Sequence, residues 1–205
     1  MTASPAEKRP RKPKARKLYS IYERVHTPPG LKMENIAVLD GGRPLMSPRW
    51  ERRFPSLTET PRLVIDRSLG RPPVDWELFH DFWLVSDRMK NVLESVDRDG
   101  VAFLECETRS TGRKAAPVYW LCDVVRILEA VDEEKSRFEV LDEGKQSRRY
   151  NGMALSSFVY REEAIGSAHI FRLRFMKSRI ICDQIMKDAC RAADVRGIGF
   201  GDASK

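Results

Sequence analysis

A thiol and an imidazole, Cys106 and His169, are the first residues in this chain that could do covalent chemistry, as nucleophile and base. The context argues against them. Cys106 closes the apolar run Val101-Ala102-Phe103-Leu104-Glu105-Cys106, where burial raises a thiol's pKa and leaves it inert. Asp123 with His169 is the second possibility, an enzyme that would need both groups side by side in a concave pocket. Asp123 interrupts the otherwise apolar Trp120-Leu121-Cys122-Asp123-Val124-Val125, and a carboxylate there must be paired or hydrogen-bonded. A wider acidic group, Asp123, Glu129, Asp132, Glu133 and Glu134, can do acid–base work or dock a basic partner. A solvated loop after a strand explains its last three members equally well. The four cysteines (Cys106, Cys122, Cys182, Cys190) show no C-x-x-C spacing, and the three histidines (His26, His80, His169) are scattered. Free buried thiols are therefore expected, with no metal site and no cofactor. Gly197-Ile198-Gly199 follows a helical pattern instead of opening one, which is the wrong order for a phosphate cradle.

Charge is concentrated at one end. The net charge is +7, and residues 1–17 hold Lys8, Arg9, Arg11, Lys12, Lys14, Arg16 and Lys17 against Glu7 alone. Such a Pro/Lys/Arg segment buries too little apolar surface to offset its ordering entropy, so a disordered basic tail is expected. It would bind anions, or it would serve only to solubilise the chain. A second basic stretch places Arg43, Arg49, Arg52 and Arg53 around Trp50 in a Pro-rich region. Exposed Trp and Arg are the residue types that dominate binding hot spots, which makes Trp50, Arg52 and Arg53 candidates for a partner surface. No run approaches the ~18 apolar residues that span a bilayer, and no apolar segment follows the basic tail as it would in a secretory signal. A cytoplasmic protein with no membrane contact is expected.

The elements that must position these residues follow a repeated pattern. Phe82-Trp83-Leu84-Val85-Ser86-Asp87 leads into an amphipathic stretch and then Gly100-Val101-Ala102-Phe103. Arg179-Ile180-Ile181-Cys182-Asp183 leads into another, then Gly197-Ile198-Gly199-Phe200. Met89, Val92, Leu93 and Val96 form one helical stripe, with Ser86 or Asp87 as cap. Ile185, Met186, Ala189, Cys190 and Ala193 form the other, capped by Asp183, with Gly197 turning the chain out of the helix. Strands are expected at 18–22, 62–65, 82–85, 138–141, 155–160, 169–175 and 180–182, and a helical turn at 74–79. Residues 101–106 and 117–130, the second a long strand or a strand with a bulge, should pair as an antiparallel hairpin across the 110–113 turn. The fold class is α+β: a mostly antiparallel sheet with two amphipathic helices in a quasi-repeated strand–helix–strand arrangement. The domain reading is a tail at 1–17, an N-terminal strand with a Pro/Arg-rich covering segment at 18–80, and the main α+β domain at 81–205.

The ordered set Phe82-Trp83-Leu84-Val85-Ser86-Asp87-Arg88, Tyr119-Trp120-Leu121-Cys122-Asp123-Val124-Val125, Val131-Asp132-Glu133-Glu134-Lys135-Ser136, His169-Ile170-Phe171-Arg172-Leu173 and Gly197-Ile198-Gly199-Phe200 resembles the eleventh family of bacterial polymorphic-toxin immunity proteins. The resemblance covers about residues 75–200 and implies a non-enzymatic antidote. Its partner would be a cognate secreted antibacterial toxin, of the kind delivered between cells by contact-dependent or type VI systems. The antidote would bind that toxin in the cytoplasm and occlude its active-site cleft. If the cleft is that of a nuclease, and so basic, the Asp132-Glu133-Glu134 loop is the natural plug. The alternative is a nucleic-acid-binding protein acting through residues 1–17.

Overall fold

The computed structural model describes residues 16–39, 54, 56–80, 82–112, 115–152 and 156–205. The tail as far as Ala15, the stretch carrying Trp50, Arg52 and Arg53, and Leu155 lie outside the described residues. The chain runs through β1 (Leu18–Glu23), β2 (Leu31–Met33), β3 (Arg62–Ile65), β4 (Trp76–Phe79), β5 (Phe82–Ser86), α1 (Asp87–Asp97), β6 (Val101–Ser110), β7 (Tyr119–Val124) and β8 (Ile127–Leu128). It continues through β9 (Glu139–Leu141), β10 (Arg149–Asn151), α2 (Glu162–Ile165), β11 (Ile170–Leu173), β12 (Met176–Asp183), α3 (Gln184–Ala192) and β13 (Ile198–Asp202). Among the described residues one sheet has the order β2-β3-β6-β7-β5-β4, a second β13-β1-β12-β11-β8, and β10 pairs with β9. Only the β3–β6 and β8–β11 pairings are parallel within these sheets, so the fold is α+β with mostly antiparallel strands.

The repeat in the sequence is a repeat in space, and it extends further than strand–helix–strand. In the first copy β5 and β6 flank β7, with Val85 opposite Trp120, Glu105 opposite Trp120 and Phe103 opposite Cys122. In the second, β12 and β13 flank β1, with Cys182 opposite Tyr19, Asp202 opposite Tyr19 and Phe200 opposite Ile21. One sequence interval carries Ser86 to Asp183, Met89 to Met186, Lys90 to Lys187, Gly100 to Gly197 and Phe103 to Phe200. Surface contacts follow the same map. Trp120 Nε1 donates to Asp87, the first residue of α1, and Tyr19 OH donates to Gln184, the first of α3. The Lys90 ammonium lies 4.6 Å from the Trp120 ring centroid, and that of Lys187 lies 3.5 Å from the Tyr19 centroid. Each aromatic–cation pair covers the first helical turn and the seam between helix and sheet.

Both helices begin as their caps require. Ser86 Oγ accepts from Met89 N at 3.3 Å, and Asp183 Oδ1 accepts from Met186 N at 3.0 Å. Apart from Ile185, which points to solvent and is 57% exposed, the stripes predicted from spacing face a shared central core in which Met89, Val92, Leu93, Met186 and Cys190 pack against residues of both sheets, including Trp76, Val85, Ile180 and Ile198. Alternation along the strands sends the other residues outward into two flanking cores. Met33, Leu39, Leu63, Phe82, Leu84, Cys106 and Leu121 meet in one of them, which joins β2 and β3 to the rest of the first sheet. Leu18, Tyr150, Phe158, Phe171, Leu173 and Ile181 meet under the segment from β8 to β11.

Four local expectations are corrected. Residues 156–160, the described part of the strand expected at 155–160, make only isolated β-bridges, Ser157 to Arg137 and Tyr160 to Val131. Residues 74–79 are not a helical turn: Trp76–Phe79 form β4, paired antiparallel with β5. The reason is tertiary, since the backbone of β5 needs a partner along that edge and Trp76 is drawn fully into the central core. The 117–130 strand is broken at Val125-Arg126, so β7 ends in the first sheet while β8 joins the second. Both of those N–H groups turn aside to Gly100 O. At the end of α3 the residue with positive φ next to the helix is Asp194, at 49°. Gly197 comes later, at φ 88°, where a Cβ would meet Val74 Cγ2 at 2.3 Å.

Candidate partner-binding site

Of the six residues singled out for partner binding, Asp132, Glu133 and Glu134 are described. They form a turn between Val131, bridged to Tyr160, and Arg137, bridged to Ser157. The turn is held from within. Asp132 N donates to Val159 O at 2.8 Å, and the Asp132 carboxylate accepts from Lys135 N at 3.2 Å and Lys135 Nζ at 2.6 Å. Glu133 accepts from Arg148 Nη2 at 2.7 Å and from Tyr150 OH at 2.5 Å. The Lys135 hydrogen bond lowers the pKa of Asp132, and the Arg148 bond, then that of Tyr150, lowers that of Glu133. Glu134 is exposed. Two of the three carboxylates thus already hold cations of their own chain, and Glu134 carries the loop's outward charge.

The residues weighed for catalysis sit apart in role. Cys106 is buried in the outer core of the first sheet, and burial pushes its thiol up to about 12. Asp123 is fully buried, with Arg172 Nη2 at 3.2 Å from its Oδ1. His169 faces Asp183, its Nδ1 2.8 Å from Oδ2. Arg16, counted in sequence with the basic tail, is turned inward to the same place. Its guanidinium contacts Asp183 Oδ2, Gly166 O, Ala168 O and His169 Nδ1. Burial opposes the charge on Asp183, but hydrogen bonds from His169, Met186 N and Arg16 outweigh it and hold the carboxyl below its ordinary value. One side chain therefore caps α3, orients His169 and anchors the chain just before β1. Arg16 is consequently part of the fold, not of a phosphate-binding arm. Nothing local marks this cluster in the sequence, because Arg16 and Asp183 lie at opposite ends of it.

Two other groupings escaped the sequence. Asp97 Oδ2 accepts from Arg126 Nη1, from His169 N at 2.7 Å and from Ile170 N at 3.1 Å, tying the end of α1 to the second sheet. Arg148, Arg174, Lys145 and Lys177 line one open cleft beside the acidic turn. All four cysteines are buried thiols.

A comparison with protein families matches residues 14–205 to the model of one, described as an immunity protein family (Imm11). A comparison with curated proteins finds no match.

Proposed function

The chain belongs to the Imm11 immunity protein family, and from that premise we propose that it neutralises a cognate secreted antibacterial toxin by covering the toxin's active-site cleft. The match along nearly the whole folded chain is the observation that carries the reading. The acidic turn is the proposed point of contact. Its backbone and two of its carboxylates are fixed before binding, so docking costs little further ordering. Glu134 projects outward, and Asp132 and Glu133 can exchange Lys135 and Arg148 for cations of a basic cleft. The buried thiols fit a reducing compartment, which supports action in the cytoplasm.

The test uses the full chain as bait in lysate of cells that carry the toxin, followed by association kinetics with the recovered protein. Asp132→Ala/Glu133→Ala/Glu134→Ala should slow association by about tenfold at low ionic strength and reduce protection of growing cells. Glu134→Ala alone leaves the Lys135 and Arg148 pairs in place, so its share of the loss isolates the charge effect. Wild-type kinetics from the triple variant would remove the turn from the interface.

A further inference from the structure

Beside the acidic turn the segment over the second sheet opens into a cleft of about 590 Å³. Lys145, Arg148, Arg174 and Lys177 line it around Phe175 and Ile127, and among the described residues no carboxylate lines it. Two of these cations converge on one ring: the Arg148 guanidinium lies 4.2 Å from the Phe175 centroid and that of Arg174 5.9 Å from it. Each also pairs with a carboxylate of its own chain, Arg148 with Glu133 at 2.7 Å and Arg174 with Glu129 at 2.9 Å. Tyr150 packs edge-on against Phe175 and fixes the ring. Both guanidinium forks therefore lie against one ring, an arrangement that suits capture of neighbouring carboxylates or phosphates.

The partner decides between those anions. Asp142, 3.9 Å from Lys145, Glu133 and Glu129 pair with three of the cleft's cations, so an arriving anion competes with them. The family match makes the proposed partner a protein, whose anions are carboxylates. We infer that the cleft takes an acidic segment of the partner protein, with two neighbouring Asp or Glu side chains on Arg148 and Arg174 and apolar contact to Phe175. This rests on the toxin-binding reading and deepens it. Arg148 is shared with the acidic turn, so a carboxylate arriving at Arg148 releases Glu133 toward the partner's own cations. Docking of the two opposite charges becomes coupled through one side chain.

The cleft can be tested without the toxin. Fluorescence anisotropy of a labelled peptide carrying four adjacent Asp/Glu residues and one Tyr is measured on the full chain, beside a single-stranded oligonucleotide of equal charge. The peptide should bind, and Arg148→Ala/Arg174→Ala should weaken it by about tenfold or more. Arg148→Lys/Arg174→Lys keeps the charge but loses the forks and should fall in between. Circular dichroism checks that each variant is folded. Unchanged peptide binding in the double Ala variant would place binding on the basic tail and overturn the inference, and so would preference for the oligonucleotide at the same cleft. Because the peptide assay needs no toxin, the cleft and the toxin reading fail independently.

Discussion

Asp123→Ala should cost about 3–5 kcal/mol of folding stability, because it removes one member of a buried ion pair. Asp123 is on β7 of the first sheet and Arg172 on β11 of the second, both of them buried. Arg172 also donates to Val124 O at 3.0 Å and to Lys177 O, which places it at the joint between the sheets. Typical domains have only ~5–15 kcal/mol in reserve, so the loss should be visible as a large fall in the urea midpoint at unchanged slope. The double variant Asp123→Leu/Arg172→Met should recover much of it, since apolar replacement of a whole buried pair is often neutral or stabilising. A loss under about 1 kcal/mol in the single variant would mean that water reaches the pair.

Asp97→Asn should be the second most damaging change, and its signature is in the pH dependence. Burial opposes the charge on Asp97, but hydrogen bonds from Arg126 and from the His169 and Ile170 amides win and hold its carboxyl below the ordinary carboxylate range. A carboxyl whose pKa is depressed by folding contributes stability that is fully present above its unfolded value. That contribution is lost as pH falls below about 4 toward the folded value. Hydrogen bonds to a charged acceptor contribute about 1.5–3 kcal/mol each, so Asp97→Asn should lose about that much at pH 7. Below about pH 4 the gap to the wild type should narrow, because the wild type has by then lost the same contribution. Thermal melts of both proteins from pH 7 to pH 3 would show it. A gap that stays constant across that range would assign the effect to packing instead of charge.

What was legible in the sequence is what short range decides. The stripe from Met89 to Val96, the caps at Ser86 and Asp183, the strand Arg62–Ile65 and the hairpin of β6 with β7 are specified by neighbours a few positions away, and they stand as predicted. What was not legible depends on residues brought together across the chain. β4 reads as helical until β5 supplies an edge for it. Nothing near Leu18 announces that β1 will lie between β12 and β13, as β7 lies between β5 and β6. The site divides in the same way. The acidic turn was visible as composition, but its neutralisation by Arg148 and Lys135 was not. Arg148 and Arg174, unremarkable in sequence, become a pair only because Phe175 lies beneath both.

The matched strand registers make the two halves one blueprint read from different starting points. In the first half the chain runs straight from the strand of Phe103 into that of Trp120. In the second, Ala203 N meets Leu18 O at 3.1 Å where that hairpin would close. The second half is a circular permutation of the first: β1 precedes α3 in the chain, whereas β7 follows α1. In that pairing the inner layers, helix against helix and sheet against helix, answer to folding and are constrained twice over. Among the described residues the outer covers have no such twin. One is built from β2 and β3, the other from the acidic turn and its neighbouring cleft, and they are free to diverge separately. Changes of partner among relatives should therefore accumulate on the covers, while the paired interior beneath them stays recognisable.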